Sequence, residues 1–314
     1  MTLYVLGRTL TYIVLKKQGK IRCVSKLGCG SMYTPRNGFR EREGALQNRP
    51  FLKWPGGKTR LLSHLLPLFP DTTLFCEPFL GSGAVFLNTQ YKSYRLNDRN
   101  ADLISLYRLL QEKQENFIDE VAGYFQPKYN DEKQFYLLRE KFNKSRSLSM
   151  RARLFLYLNR HGFNGLCRYN QSGEFNVPFG RYDKPYFPEK ELRFFYQKAQ
   201  HAEFLCEDFE TVLQNLKKQA VVYCDPPYVP ASASANFTSY TQFGFSIKQQ
   251  ESLAALGRKL AMKGHTVVIS NHDNAITQKL YEGAQLLQVS VPRLIGADPT
   301  KRKPINELIA VFGQ

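Results

Sequence analysis

A chain of 314 residues, 43% of them hydrophobic, can bury a sizeable core as one large domain or as a domain carrying an inserted module. Its net charge of +17 and isoelectric point near 9.6 suit a polyanionic partner, although a surplus of charge also serves simply to solvate a surface. Six cysteines with no metal-like pair and five scattered histidines argue against a disulfide framework and a metal centre, so reduced chemistry without a metal is expected.

In chain order, Met1 to Leu15 is moderately apolar but broken by Arg8. It is too short to span a bilayer and lacks the pattern of a signal peptide. Lys16 to Arg49 is basic and rich in Gly, Ser and Asn, with no helical or strand period. Residues 1–49 are therefore expected to be a disordered extension or an upstream-start artefact, the competing reading being a basic arm for a polyanion. About half of the net charge lies there. From Gly57 to Phe69 the spacing of Leu61, Leu65, Leu66 and Leu68 predicts a helix.

The run from Phe75 through Glu77, Pro78, Phe79, Leu80, Gly81, Ser82 and Gly83 to Phe86 predicts a strand, a glycine turn and a helix. Glycines let the backbone approach a ligand closely, and a helix amino terminus favours an anionic group. A dinucleotide fingerprint needs Gly or Ala where Phe86 stands, which disfavours a nicotinamide cofactor. A second strand, Tyr94 to Asn97, ends at Asp98, placed either to hold ribose hydroxyls or to cap the helix predicted over Ala101–Leu110. From about Asn116 to Lys198 helices dominate, over Asp131–Lys144 and Met150–Arg160, before a polar, aromatic loop at 161–187. Strand and helix alternate again from Ala202, through Thr266–Ser270, with Leu286–Val291 and Glu307–Phe312 as the last two strands.

Val221-Val222-Tyr223-Cys224-Asp225-Pro226-Pro227-Tyr228 is the most informative stretch. Its apolar, β-branched run predicts a buried parallel strand that two prolines stop abruptly. Asp225 then lies at the carboxyl end of a strand, where open α/β sheets bind their ligands. An isolated Asp-Pro-Pro-Tyr is most often an ordinary turn. Here it follows a glycine loop at the end of an earlier strand, and a carboxylate, a rigid carbonyl and an aromatic face can together grip a planar ring bearing an NH2 group. That is chemistry for methylating an exocyclic amine.

Phe51-Leu52-Lys53-Trp54-Pro55-Gly56-Gly57-Lys58, the Phe79–Gly83 loop, Asn97-Asp98, the block Leu158–Asn170 with Phe175–Gly180, and Asp225–Tyr228 occur in that order. From about Phe51 onward the chain resembles the Dam-type DNA adenine-N6 methyltransferases. The resemblance implies an α/β fold: a Rossmann-like S-adenosylmethionine-dependent sheet whose last two strands pair antiparallel, with an inserted, mainly helical target-recognition domain. The catalytic domain would span residues 50–115 and 202–314 and the insertion residues 116–201. The expected partner is double-stranded DNA, and the expected enzyme is a cytoplasmic, nucleoid-associated monomer methylating GATC. Asp-Pro-Pro-Tyr alone leaves cytosine N4 or RNA as acceptors, and a non-catalytic DNA-binding remnant is the third alternative.

The resemblance assigns catalysis to Asp225, Pro226, Pro227 and Tyr228. It assigns the cofactor to Trp54, Lys58, Phe79, Gly81, Gly83, Asp98 and Asp225. DNA contacts are expected from Lys53, Asn164, Leu166, Arg168 and Tyr182 at bases, with Arg160, Asn170 and Asn176 at phosphates. Arg168 is the candidate guanine reader, since bidentate arginine to guanine is the commonest specific contact. Asp183 puts a negative charge into an otherwise basic stretch.

Overall fold

The computed structural model describes residues 13–17, 20–24, 48–229, 245–291 and 305–313. The chain divides into two compact units, Met1–Leu46 and Gln47–Gln314. In the first, β1 (Ile13–Lys17) pairs antiparallel with β2 (Lys20–Val24), in register from Ile13↔Val24 to Lys17↔Lys20. This corrects the expectation of no strand from Lys16 onward. Runs of β-formers on both sides of Gln18-Gly19 have the spacing of a two-residue hairpin.

The second unit is built on seven strands: β3 (Leu74–Glu77), β4 (Ser93–Asn97), β5 (Ala202–Leu205), β6 (Ala220–Cys224), β7 (Thr266–His272), β8 (Gln285–Val291) and β9 (Ile305–Phe312). Their order across the sheet is β5-β4-β3-β6-β7-β9-β8. Strands β5 to β7 along that order are parallel, and β9 runs antiparallel to both neighbours. Every residue of β6 is buried, as its β-branched run requires for a central strand covered on both faces. The chain winds one way from β3 and the other way from β6, so the topological switch lies between their carboxyl ends, Glu77 and Cys224-Asp225. That is where such sheets hold ligands.

Helices cover the sheet: α1 (Leu62–Leu65), α2 (Ala101–Lys113), α3 (Glu115–Ala122), α4 (Glu132–Lys144), α5 (Leu148–His161), α6 (Glu189–Ala199), α7 (Phe209–Gln214), α8 (Ile247–Met262) and α9 (Ala275–Leu280). The helix expected over 57–69 is broken into α1 and two flanking 3-10 turns, Lys58–Arg60 and Leu66–Leu68. Pro67 has no N–H for a regular ladder. The helix expected after the glycine loop is reduced to one 3-10 turn, Phe86–Asn88, because the chain enters β4 at Ser93. The helical insertion shares the core of the sheet: Phe195 of α6 stacks on Tyr107 of α2 with ring centroids 4.6 Å apart.

Candidate active site

Two prolines end β6 and leave Asp225 half-buried at its carboxyl tip. Its carboxylate is gripped from both sides. Ser270 Oγ, from β7, donates to Oδ1 at 3.0 Å, and Tyr223 OH lies 3.0 Å from that same Ser270 Oγ. Lys58 Nζ lies 3.0 Å from Oδ2. The same ammonium donates to Gly56 O at 2.9 Å and sits 4.5 Å from the centre of the Tyr228 ring. Pro227 O accepts from Gln250 Nε2 at 2.8 Å, and Val229 N donates to Asn271 Oδ1 at 3.1 Å, so side chains from α8 and β7 fix the turn that bears Tyr228. Tyr228 OH donates to Glu307 Oε2 at 2.7 Å, and its ring meets His272 edge-on.

The glycine loop faces this carboxylate across the switch point. Gly81 has φ +50°, and a Cβ there would fall 2.9 Å from Trp54 Nε1, so only glycine lets the loop close on the indole. Gly83 also has a positive φ, +73°. Asp98 Oδ2 accepts from Gly81 N at 2.9 Å, and Oδ1 accepts from Asn100 N at 2.9 Å. Burial raises the Asp98 pKa against the lowering effect of these two bonds. Capping of α2 falls to Asn100, whose side chain accepts from Asp102 N and Leu103 N, so Asp98 is not the cap. Phe79 packs on Phe209 and Phe245 beside the loop. Tyr107 OH donates to Gly81 O at 2.7 Å.

Glu77 closes the floor of the site. It is 2% exposed, and Phe86 N donates to its Oε2 at 3.2 Å. Burial, then the charge of Asp225, holds its carboxyl well above the usual range, which favours the protonated form. Sequence reasoning singled out neither Glu77 nor Ser270 as a functional residue. The available signal was a buried polar residue at the carboxyl end of an otherwise apolar strand, Glu77 after Phe75-Cys76 and Ser270 after Val267–Ile269.

The recognition candidates cluster after α5, and the structure separates them. Lys53 Nζ lies 3.7 Å from the Tyr182 ring centre and donates to Arg160 O at 3.4 Å. Tyr182 OH accepts from Asn164 N at 2.9 Å, and Asn164 is itself exposed with φ +53°. Leu166 is half-buried against the core, while Phe163, which the sequence reading passed over, is 48% exposed. Arg168 is exposed; its Nε donates to Asn176 Oδ1 at 2.8 Å and its Nη2 to Asn176 O at 3.3 Å. Asn170 closes the following turn, with Nδ2 donating to Glu174 Oε2 at 3.0 Å and Oδ1 accepting from Glu174 N at 2.9 Å.

Arg160, expected at a phosphate, stands largely inside the fold with its guanidinium on backbone carbonyls. It is only 8% exposed, and its guanidinium donates to Tyr186 O at 3.0 Å and to Phe51 O at 3.5 Å, tying the first motif to the end of the loop. It lies on the inward face of α5, among residues that are all buried from Leu154 to His161. Among the described residues, no group of three or more His, Cys, Asp or Glu side chains is placed to hold a metal ion. No described helix is long and apolar enough to cross a membrane.

The model of the D12 class N6 adenine-specific DNA methyltransferase family matches residues 54–295. The DNA adenine methylase of Serratia marcescens is 48% identical over 267 residues, covering 85% of this chain and 99% of that protein. The DNA adenine methylase of Escherichia coli K12 is 47% identical over 266 residues, and that of Vibrio cholerae 47% identical over 268, each covering 85% of this chain and 96% of its own length.

Proposed function

The chain belongs to the D12 class N6 adenine-specific DNA methyltransferase family, and from this premise we propose that it methylates N6 of an adenine flipped out of double-stranded DNA, within the sequence GATC. The single observation that carries this reading is Asp225, fixed at the carboxyl tip of β6 by Ser270 and Lys58 and facing the glycine loop across the switch point. The loop suits S-adenosylmethionine: Gly81 leaves no room for a side chain against Trp54, and the buried carboxyl of Asp98 is available to ribose hydroxyls. When bound, that cofactor supplies a methyl group already activated on a sulfonium.

The protein's task is then to prepare the nucleophile, because the adenine N6 lone pair is delocalised into the ring. Asp225 accepts one N6 hydrogen and the Pro226 carbonyl accepts the other, which localises the lone pair. Positive charge develops on N6 as the methyl group is transferred. A fixed carboxylate therefore stabilises the transition state more than the ground state. Lys58 Nζ touches both Asp225 Oδ2 and the Tyr228 ring, so it borders the place where the adenine would lie. Flipping the base costs a few kcal/mol, roughly, and stacking on Tyr228 recovers about 1–3 kcal/mol of it.

Labelling duplex DNA with tritiated S-adenosylmethionine and digesting it to nucleosides tests the reading. Radioactivity in N6-methyl-2′-deoxyadenosine, confined to GATC duplexes, is the expected result. Label in cytosine or nowhere in the DNA, or label only in RNA offered in parallel, would overturn it.

A further inference from the structure

The loop that carries Arg168 is tied to the start of α2 by one carboxylate. Asp102, in the first turn of α2, accepts from Arg151 Nε at 2.7 Å and Arg151 Nη2 at 2.8 Å, and from Tyr169 OH at 2.7 Å. Arg151 lies on α5, whose carboxyl end leads into the loop, and its guanidinium also donates to Phe142 O at 2.8 Å at the end of α4. Two helices and the loop therefore meet at Asp102. Tyr169 stands between Arg168, whose exposed guanidinium is held by Asn176, and Asn170, which closes the next turn.

We propose that Asp102 and Tyr169 are positioning residues for target recognition: the phenol-to-carboxylate hydrogen bond sets where the backbone of Arg168 stands relative to the cofactor side of the sheet. The proposal rests on the reading of Arg168 as a base reader. Asp102 lies four residues after Asp98, so the loop is braced from the same segment that supports the glycine loop. The phenol is a dependable donor, since burial and then the nearby Cys167 and Asp102 raise its pKa far above the usual range. Another anchor holds the loop's fold. Asn143 of α4 donates to Phe175 O at 3.1 Å and accepts from Phe175 N at 2.9 Å, and Tyr169 forms an isolated antiparallel bridge with Phe175. Loss of one hydroxyl therefore leaves the loop folded but less well placed.

Tyr169→Phe isolates that hydroxyl while keeping the ring against Phe175. kcat/KM is measured on GATC and on each single-base variant, alongside melting temperature and calorimetric affinity for S-adenosylmethionine. Discrimination at the base pair read by Arg168 is expected to fall about tenfold, the usual scale for a hydrogen bond to a charged group, with cofactor affinity unchanged and melting temperature lower by only about 2–4 °C. Asp102→Asn, which retains an acceptor for the phenol, should keep more of this discrimination than Asp102→Ala. Adding Tyr169→Phe to Arg168→Ala should cost no further discrimination there, because both act through one guanidinium. A Tyr169→Phe enzyme with the parent's preference profile, or a loss additive with that of Arg168→Ala, overturns the proposal. So does a loss that only follows melting temperature and cofactor affinity downward. An Arg168→Ala enzyme with the parent's profile instead overturns the assignment of Arg168. If Tyr169→Phe then still shifts the profile, the brace stands and acts through another residue of the loop.

Discussion

Asp225 has one oxygen on Ser270 and the other facing Lys58, and these two contacts predict different defects. Asp225→Asn keeps the shape of the side chain but removes the charge that opposes positive N6. Single-turnover methylation is expected to slow by about 10²–10³-fold, the scale for losing one electrostatic element of a transition-state site, with cofactor affinity retained. Ser270→Ala leaves the charge in place and loosens its aim, so its rate should fall far less. Equal losses would show that Ser270 does more than orient the carboxylate. Glu77 predicts a pH dependence of stability. Its pKa is raised in the folded chain, so folding takes up a proton that the unfolded chain releases. The stabilisation is complete below the ordinary carboxylate range and is lost as pH rises through the raised value. Glu77→Gln should therefore melt above the parent by a margin that widens as pH rises above the ordinary carboxylate range. A constant or shrinking margin would show that Glu77 is ionised in the folded protein.

At the scale of elements, the stretch between β4 and α2 separates bracing of the glycine loop from helix capping within three residues. Asn100 caps α2 through its side chain, whereas Asp98 bonds Gly81 N and braces the glycine loop. Asn100→Ala should lower unfolding free energy in urea by about 1 kcal/mol, the usual value of a lost cap. Asp98→Ala should instead weaken cofactor affinity in calorimetry with a smaller change in stability. If the two substitutions exchange these signatures, the ribose assignment of Asp98 fails. The same stretch shows why the site is built on element ends. The β3 loop, Asp98 and Asp225 each leave the carboxyl end of a parallel strand, and the strand register brings those ends together.

At the scale of the molecule, the segment that carries about half of the net charge lies outside the unit that holds the catalytic sheet. Residues 1–49 are also outside the span of the family match. A chain beginning at Gln47, which keeps the hydrogen bonds of Asn48 with Leu87 and Asn88, should melt at the parent's temperature and methylate GATC with the parent's kcat/KM. A lower melting temperature would show that the extension stabilises the second unit. A flatter dependence of log K on log salt would show that its cations neutralise phosphates, because fewer counterions would then be displaced.

The periods and stop signals of the sequence were sufficient for the parallel strands and for the helices now seen over 132–144 and 148–161, while the antiparallel pairing of β8 with β9 was implied by the resemblance alone. Such features depend on local spacing, on proline's missing N–H and on a short list of ordered motifs. The sequence left Asp98 between a ribose ligand and the α2 cap, since Asp98 and Asn100 are equally good cap formers, and only the fold gives the cap to Asn100 and sends the Asp98 carboxylate to Gly81 N. Arg160, expected at a phosphate, makes contacts the sequence could not foresee, its guanidinium donating to the carbonyls of Phe51 and Tyr186. The contacts of Asp225 with Lys58 and Ser270 join residues 167 and 45 positions apart, and the Asp102–Tyr169 bond spans 67. The sequence by itself determined the family and the motifs that nominate the candidate residues, because those depend on residue type and order. Tertiary structure alone decided which of them touch, because contacts between distant residues arise only when strand order and helix rotation bring them into one place.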